Sequence, residues 1–263
     1  MRKHFIIFAT IVFAGLVLFA SCTDFFSASW AKWAARDPDK LIPKVTTGNV
    51  NDLVAKAENN PDLSLALLKK IQDAANSASG NEKLKLQSAA LGAATNAVGL
   101  GQAVLGAAGS LTSLSGDTQT QIEDAKNMVL NAINSLQNLD ATSSALVSIV
   151  PNPYDADGNI TPEFQAFSDT ASANDLAMAA AVLIAGQAKN YVNDPNNSDD
   201  PDDYISSLGN RIDGTSTDPL TDQENYARAM ALAAAAVSRS GELSGPLQDV
   251  LSGLNLVGIN VNP

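Results

Sequence analysis

Past Cys22 the 263-residue sequence contains no histidine and no further cysteine. That part of the chain has no imidazole base, no thiolate nucleophile, no disulfide and no zinc site of the His/Cys type. Catalysis would have to come from carboxylates, Ser/Lys pairs or tyrosine, and a metal held by side chains would be a hard, oxygen-liganded ion such as calcium. No Gly-x-Ser-x-Gly elbow occurs. Ser64 and Lys69 stand too far round one helix to act as a pair. Gly99-Leu100-Gly101 lacks the preceding strand and the third glycine of a dinucleotide loop, because Val104 stands where that glycine is needed. These absences point away from an enzyme: no catalytic residue, no metal site and no cofactor is expected.

Positive charge is also scarce. The 16 Lys and Arg residues face 28 Asp and Glu, a net charge of −12. An acidic surface of this size repels phosphate backbones, so nucleic acid is not an expected partner.

What the sequence does have begins at its N-terminus. Arg2, Lys3 and His4 precede an apolar run from Phe5 to Phe19, broken only by Thr10, and then Ala20-Ser21. The run is shorter than the roughly 20 residues a membrane-spanning helix needs. A basic start, an apolar middle and small residues before a cut describe a secretory signal over residues 1–21. Its removal would take two basic residues and no acid, leaving 242 residues with a net charge of −14. Phe19-Ala20-Ser21-Cys22 resembles the lipobox of bacterial lipoproteins, with Phe19 where leucine is usual, as in the relaxed boxes of spirochaetes. The resemblance implies that Cys22 is the lipidation site and the new N-terminus, which places the protein in the cell envelope, anchored to the inner or outer membrane.

Phe25, Phe26, Trp30 and Trp33 follow closely, and Phe26, Trp30 and Trp33 share one helical face. Two readings stand: a membrane-proximal aromatic collar at headgroup depth, or a face docked on the protein's own core. Asp37-Pro38 and Pro43 then break the pattern, so residues 22–48 read as anchor, aromatic segment and linker.

From Asn49 the chain reads as helices with capping signals. Asn49 precedes a stripe of Val50, Leu53, Val54 and Ala57, and Asn60-Pro61 is an N-cap followed by a first-turn proline. Leu63, Leu67, Leu68, Ile71, Ala74, Ala75 and Ala78 form the face behind it, ended by Ser79-Gly80. The next stretch, Leu86 to Gly116, holds 31 residues without one charge and is rich in alanine and glycine. A helix apolar all round is expected to be buried, here with a break near Gly99-Leu100-Gly101. Small residues also suit a membrane-inserting segment, but Gln87, Ser88, Thr95, Asn96, Gln102 and the glycines oppose it. Capping boxes at Thr118 or Thr120, at Ser172-x-x-Asp175 and at Thr221-x-x-Glu224 open three more helices. An apolar stretch from Leu146 ends at Pro151, and a last short helix is expected over 246–254. The fold class is therefore all-α, a helical bundle or a degenerate helical-repeat solenoid, with 49–263 as one domain. Long loops are expected at 151–172 and 193–220.

Those loops carry most of the acid. Asp155-Ala156-Asp157-Gly158-Asn159 resembles the start of an EF-hand loop, but the glycine at the sixth position is missing and Glu163 comes too early. The same residues make a good turn or small hairpin, which is the favoured reading. Asp199, Asp200, Asp202 and Asp203 form a second cluster that reads as a solvated loop.

Phe25-Phe26-Ser27-Ala28-Ser29-Trp30 and the alanine-rich helices look like lipoproteins of treponemes. Some of that group are helical-repeat proteins that assist tripartite substrate-binding transporters. The resemblance implies a binding or scaffold component of the envelope, held to the membrane by its lipid and meeting a protein partner there. A small-molecule ligand is not identified by any motif. A structural or membrane-perturbing lipoprotein using 86–116 is the alternative, and a carboxylate-based glycan hydrolase ranks below both.

Intact-mass analysis of the natively produced protein should show a chain beginning at Cys22 with a lipid-sized excess. Cys22→Ala should abolish that excess, and an unmodified wild-type mass would refute the lipobox reading.

Overall fold

The structure is a computed structural model that describes residues 38–101, 131, 134–192 and 223–244. The chain separates into two compact units, Met1–Pro43 and Lys44–Pro263. Of the first, the described part is a helical turn, α1 (Pro38–Leu41), with Ile42 and Pro43 behind it. Cys22, Phe25, Phe26, Trp30 and Trp33 lie outside the described residues.

The second unit begins earlier than the expected linker end at residue 48. Asn49 causes the difference. Its carboxamide oxygen accepts from the Thr46 N–H (2.8 Å) and hydroxyl (3.1 Å), and its Nδ2 donates to the Lys44 carbonyl (2.9 Å). The side chain thus folds residues 44–48 onto the body instead of capping the helix it precedes. α2 (Val50–Ala57) follows. α3 (Pro61–Ser77) starts as its sequence indicates, with the Leu63 N–H donating to the Asn60 carboxamide at 3.0 Å. Leu67, Leu68, Ile71 and Ala75 are buried along it.

α4 (Gly80–Val98) is the centre of the unit. It packs against α2, α3, α5 (Leu139–Ile149), α6 (Pro162–Thr170) and α7 (Ala173–Val192). Ala90, Leu91, Ala93, Ala94 and Ala97 are fully buried, with Val98 and Leu86 nearly so. At about 100° per residue these positions, with Thr95, cover roughly 200° of the helix circumference. Thr95 satisfies its hydroxyl on the Leu91 carbonyl one turn back (3.0 Å). A methyl on Gly92 would already press the Val54 side chain of α2 at 3.3 Å. Small residues therefore set how closely the neighbours approach, and the buried reading of Leu86–Val98 is what the structure shows. Gly99 adopts φ +71°, a left-handed residue that ends α4 before Leu100 and Gly101 resume helical backbone. The rest of the charge-free segment, 102–116, lies outside the described residues, as do Thr118, Thr120, Thr221 and 246–254.

α4 and α7 touch although α5 and α6 intervene in sequence, so the arrangement is a bundle rather than a stack of nearest neighbours. α7 also packs on α5 and on α8 (Gln223–Val237), and a 3-10 turn, Ser240–Glu242, lies against its start. The α5–α7 approach depends on Gly186, where a Cβ would collide with the side chain of Ser143. No strand occurs among the described residues, only a single antiparallel bridge between Tyr154 and Ile160.

Residues 151–172 are not one long loop. Their second half is α6, opened by the Thr161 hydroxyl accepting from the Phe164 N–H (3.2 Å) and by Pro162 in the first turn. Phe164 and Phe167, with ring centroids 6.0 Å apart, are both buried and anchor it. Two aromatic residues three apart supply a buried face in only nine residues, too short a run to show a helical stripe. α5 is also longer than its apolar end, beginning at Leu139 behind a left-handed Asn138 (φ +50°).

Replacing Ala94 with aspartate should place an unpaired carboxylate in the core and cost about 3 kcal/mol or more. Denaturant unfolding checks this. A midpoint equal to wild type would show that this face of α4 is open to solvent.

Candidate functional site

Helix C-termini leave carbonyls without intrahelical donors. α5 ends in extended Val150 just before Pro151, so its final carbonyls take donors from elsewhere. Gln87 of α4, 5% exposed, donates Nε2 to the Ile149 carbonyl at 2.7 Å. Arg228 of α8 donates Nε to the next carbonyl, Val150, at 3.3 Å. These contacts hold three helices around one end of α5.

Beside that junction lies an open cleft of about 700 Å³. Its walls are the end of α3 (Ala75, Asn76), the start of α4 (Asn81, Lys83, Leu84, Gln87), the end of α5 and the start of α6 (Glu163, Ala166). Arg228 and the hairpin residues Asn152 and Thr161 complete the rim. Most of the lining is apolar, with amide and charged groups at the edge, which is the usual make-up of a small-molecule site.

The hairpin is built by its acids. Asp155 Oδ1 accepts from the backbone N–H groups of Asp157 (2.9 Å) and Asn159 (2.8 Å), and Gly158 turns the chain at φ +81°. The Asn159 N–H foremost, then Asp157, holds the Asp155 carboxyl below its usual range. Asn159 spends its Nδ2 on the same carboxylate (3.4 Å), and Thr161 ties the base by donating its hydroxyl to the Asn152 carbonyl (2.6 Å). The turn reading of 155–159 is therefore the one the structure contains. Glu163, grouped with these residues as a calcium ligand in the alternative, belongs to α6 and faces the cleft. Among the described residues no cluster of three or more acids, histidines or cysteines could hold a metal. The second acidic cluster, 199–203, lies outside them.

One carboxylate is perturbed upward. Asp175, half-buried at the start of α7, accepts the Ser172 hydroxyl on Oδ2 (2.7 Å), while its own N–H donates to that hydroxyl's oxygen (3.1 Å). Ser172 thus caps the helix as expected, but the return arm of the box is not made to its backbone N–H: the Asp175 carboxylate takes the Ser172 hydroxyl instead. Burial raises the Asp175 pKa above 3.8, and the Ser172 bond offsets only part of the rise. A second arginine closes α6: Arg239 donates NH1 to the Ser168 and Ala171 carbonyls (3.1 and 2.8 Å) while pairing with Glu242.

Lys83 and Arg228 were not singled out in the sequence, and Gln87 was named only as a polar residue opposing membrane insertion. Gln87 is the first polar side chain of the charge-free segment and Arg228 a lone cation among alanines. Such isolated polar groups in apolar stretches were the available signal. Among the described residues no helix is long and apolar enough to cross a membrane. No protein-family model, curated protein or solved structure matches the chain.

The raised Asp175 pKa has a definite sign. The folded state holds this proton more tightly than the unfolded state, so the contribution of Asp175 is most favourable below 3.8 and is lost as pH rises through the folded value. Asp175→Asn should retain the bond from Ser172 and flatten that part of the decline. Melting temperatures of both proteins from pH 3 to pH 7 check it, and parallel curves would contradict it.

Proposed function

We propose that the protein is a lipid-anchored binding component of a bacterial cell envelope, tethered through Cys22 and taking its ligand in the cleft beside the end of α5. The observation that carries this reading is the cleft itself, assembled from the ends of four helices and rimmed by charged and amide side chains. The lipobox-like Phe19-Ala20-Ser21-Cys22 supports the tether. A role as accessory to a substrate-binding transport system fits a body that presents a ligand site at the membrane surface. The membrane-perturbing alternative has less support, because Leu86–Val98 supplies the interior of the bundle and is unavailable to a bilayer.

Native mass spectrometry of the full chain, purified in mild detergent from its own envelope, tests the cleft. A small molecule should travel with the wild-type protein and be absent from Ala166→Trp, which fills the site. Identical spectra for the two proteins would count against the reading.

A further inference from the structure

We propose that the ligand of this cleft is a short peptide with free amino and carboxyl termini, a refinement that rests on the cleft being the binding site. Lys83, from the start of α4, and Glu163, from the first turn of α6, line the same cavity. Neither forms an ion pair or side-chain hydrogen bond with the other or with any other described residue. Their charged atoms therefore stand beyond the 4.0 Å of a salt bridge. Beside Arg228, whose Nε is engaged at the Val150 carbonyl, the cavity thus holds two unlike charges with no ion-pair partner among the described residues, and that pair is complementary to a zwitterion. A simple organic anion would meet Lys83 favourably and Glu163 unfavourably, and a simple cation the reverse. A peptide satisfies both, with its carboxylate at Lys83 and its ammonium at Glu163.

The rest of the lining suits the body of such a ligand. The carboxamides of Asn76 and Asn81 make no hydrogen bond with a described residue, and each offers both a donor and an acceptor to a peptide group. Ala75, Leu84, Val147 and Ala166 give apolar surface for side chains. The cleft volume of about 700 Å³ is generous for a free amino acid. Three extended residues span about 10 Å, which allows the two termini to reach separate walls.

Isothermal titration of the full chain in detergent at low salt provides the test, with tri-leucine, its N-acetyl form, its C-terminal amide and octanoate as probes. Tri-leucine should bind, and each blocked form should bind about tenfold or more weakly, the loss expected for one charge-assisted contact. Lys83→Met should weaken tri-leucine to the level of the amide without weakening the amide further, and Glu163→Gln should do the same for the N-acetyl form. Both residues are exposed, so unchanged melting temperatures will show that the variants fold. Equal affinity for free and blocked peptides, or no heat from tri-leucine, overturns the proposal. Octanoate binding that Ala166→Trp abolishes, with tri-leucine inert, overturns the peptide and leaves the cleft as the binding site. Tri-leucine binding that survives Ala166→Trp overturns both.

Discussion

A helix that stops inside a protein must find donors for its last carbonyls, and in this bundle distant side chains supply many of them. α5 and α6 both run into extended residues, Val150 and Ala171, in place of a left-handed glycine. Gln87 and Arg228 serve the first end, and Arg239 the second. α4 does end in glycine, and still the Val98 and Ala97 carbonyls accept from the Gln137 N–H and from Asn138 Nδ2 (3.2 and 3.3 Å). Those two bonds help hold Asn138 in its left-handed conformation, a state that costs a non-glycine residue about 1 kcal/mol or more. A cation at a helix C-terminus also complements the negative end of the dipole. Among the described residues both arginines, Arg228 and Arg239, are spent on this task.

The same constraint shapes the cleft. α4 is surrounded because its side chains are small: a methyl added at its Gly92 presses Val54 of α2, and in the adjoining α5–α7 contact one added at Gly186 of α7 collides with Ser143 of α5. Close lateral packing leaves little room for a cavity between helix flanks. Space opens instead where helices end, and the ends of α3 and α5 face the beginnings of α4 and α6 there. Gln87 belongs to both features, since it seals α5 and lines the cleft. The cleft and the closure of the bundle therefore share a residue.

The fold was legible wherever its cause is local. Asn60, Thr161 and Ser172 all accept from a backbone N–H three residues on, a relation visible in four consecutive letters, though Thr161 was not read as a cap. Asn49 has the same signature and does something else, because Thr46 and Lys44 offered its carboxamide better partners. The described start of the charge-free run, Leu86 to Val98, was legible as a buried helix from composition alone. The cleft was hidden because its defining bonds join residues 62 and 78 positions apart, which no local pattern records.

Remote donors close helix ends in this bundle, and Gln87 is the donor whose removal tests their contribution most directly. Equilibrium urea unfolding of Gln87→Met, which keeps the volume and removes the donor, measures it directly. The buried Ile149 carbonyl would lose its partner, so a stability loss of about 1–3 kcal/mol is expected with an unchanged m-value. A variant as stable as wild type, or more so, would mean that the contact between α4 and the end of α5 contributes nothing to holding the bundle together.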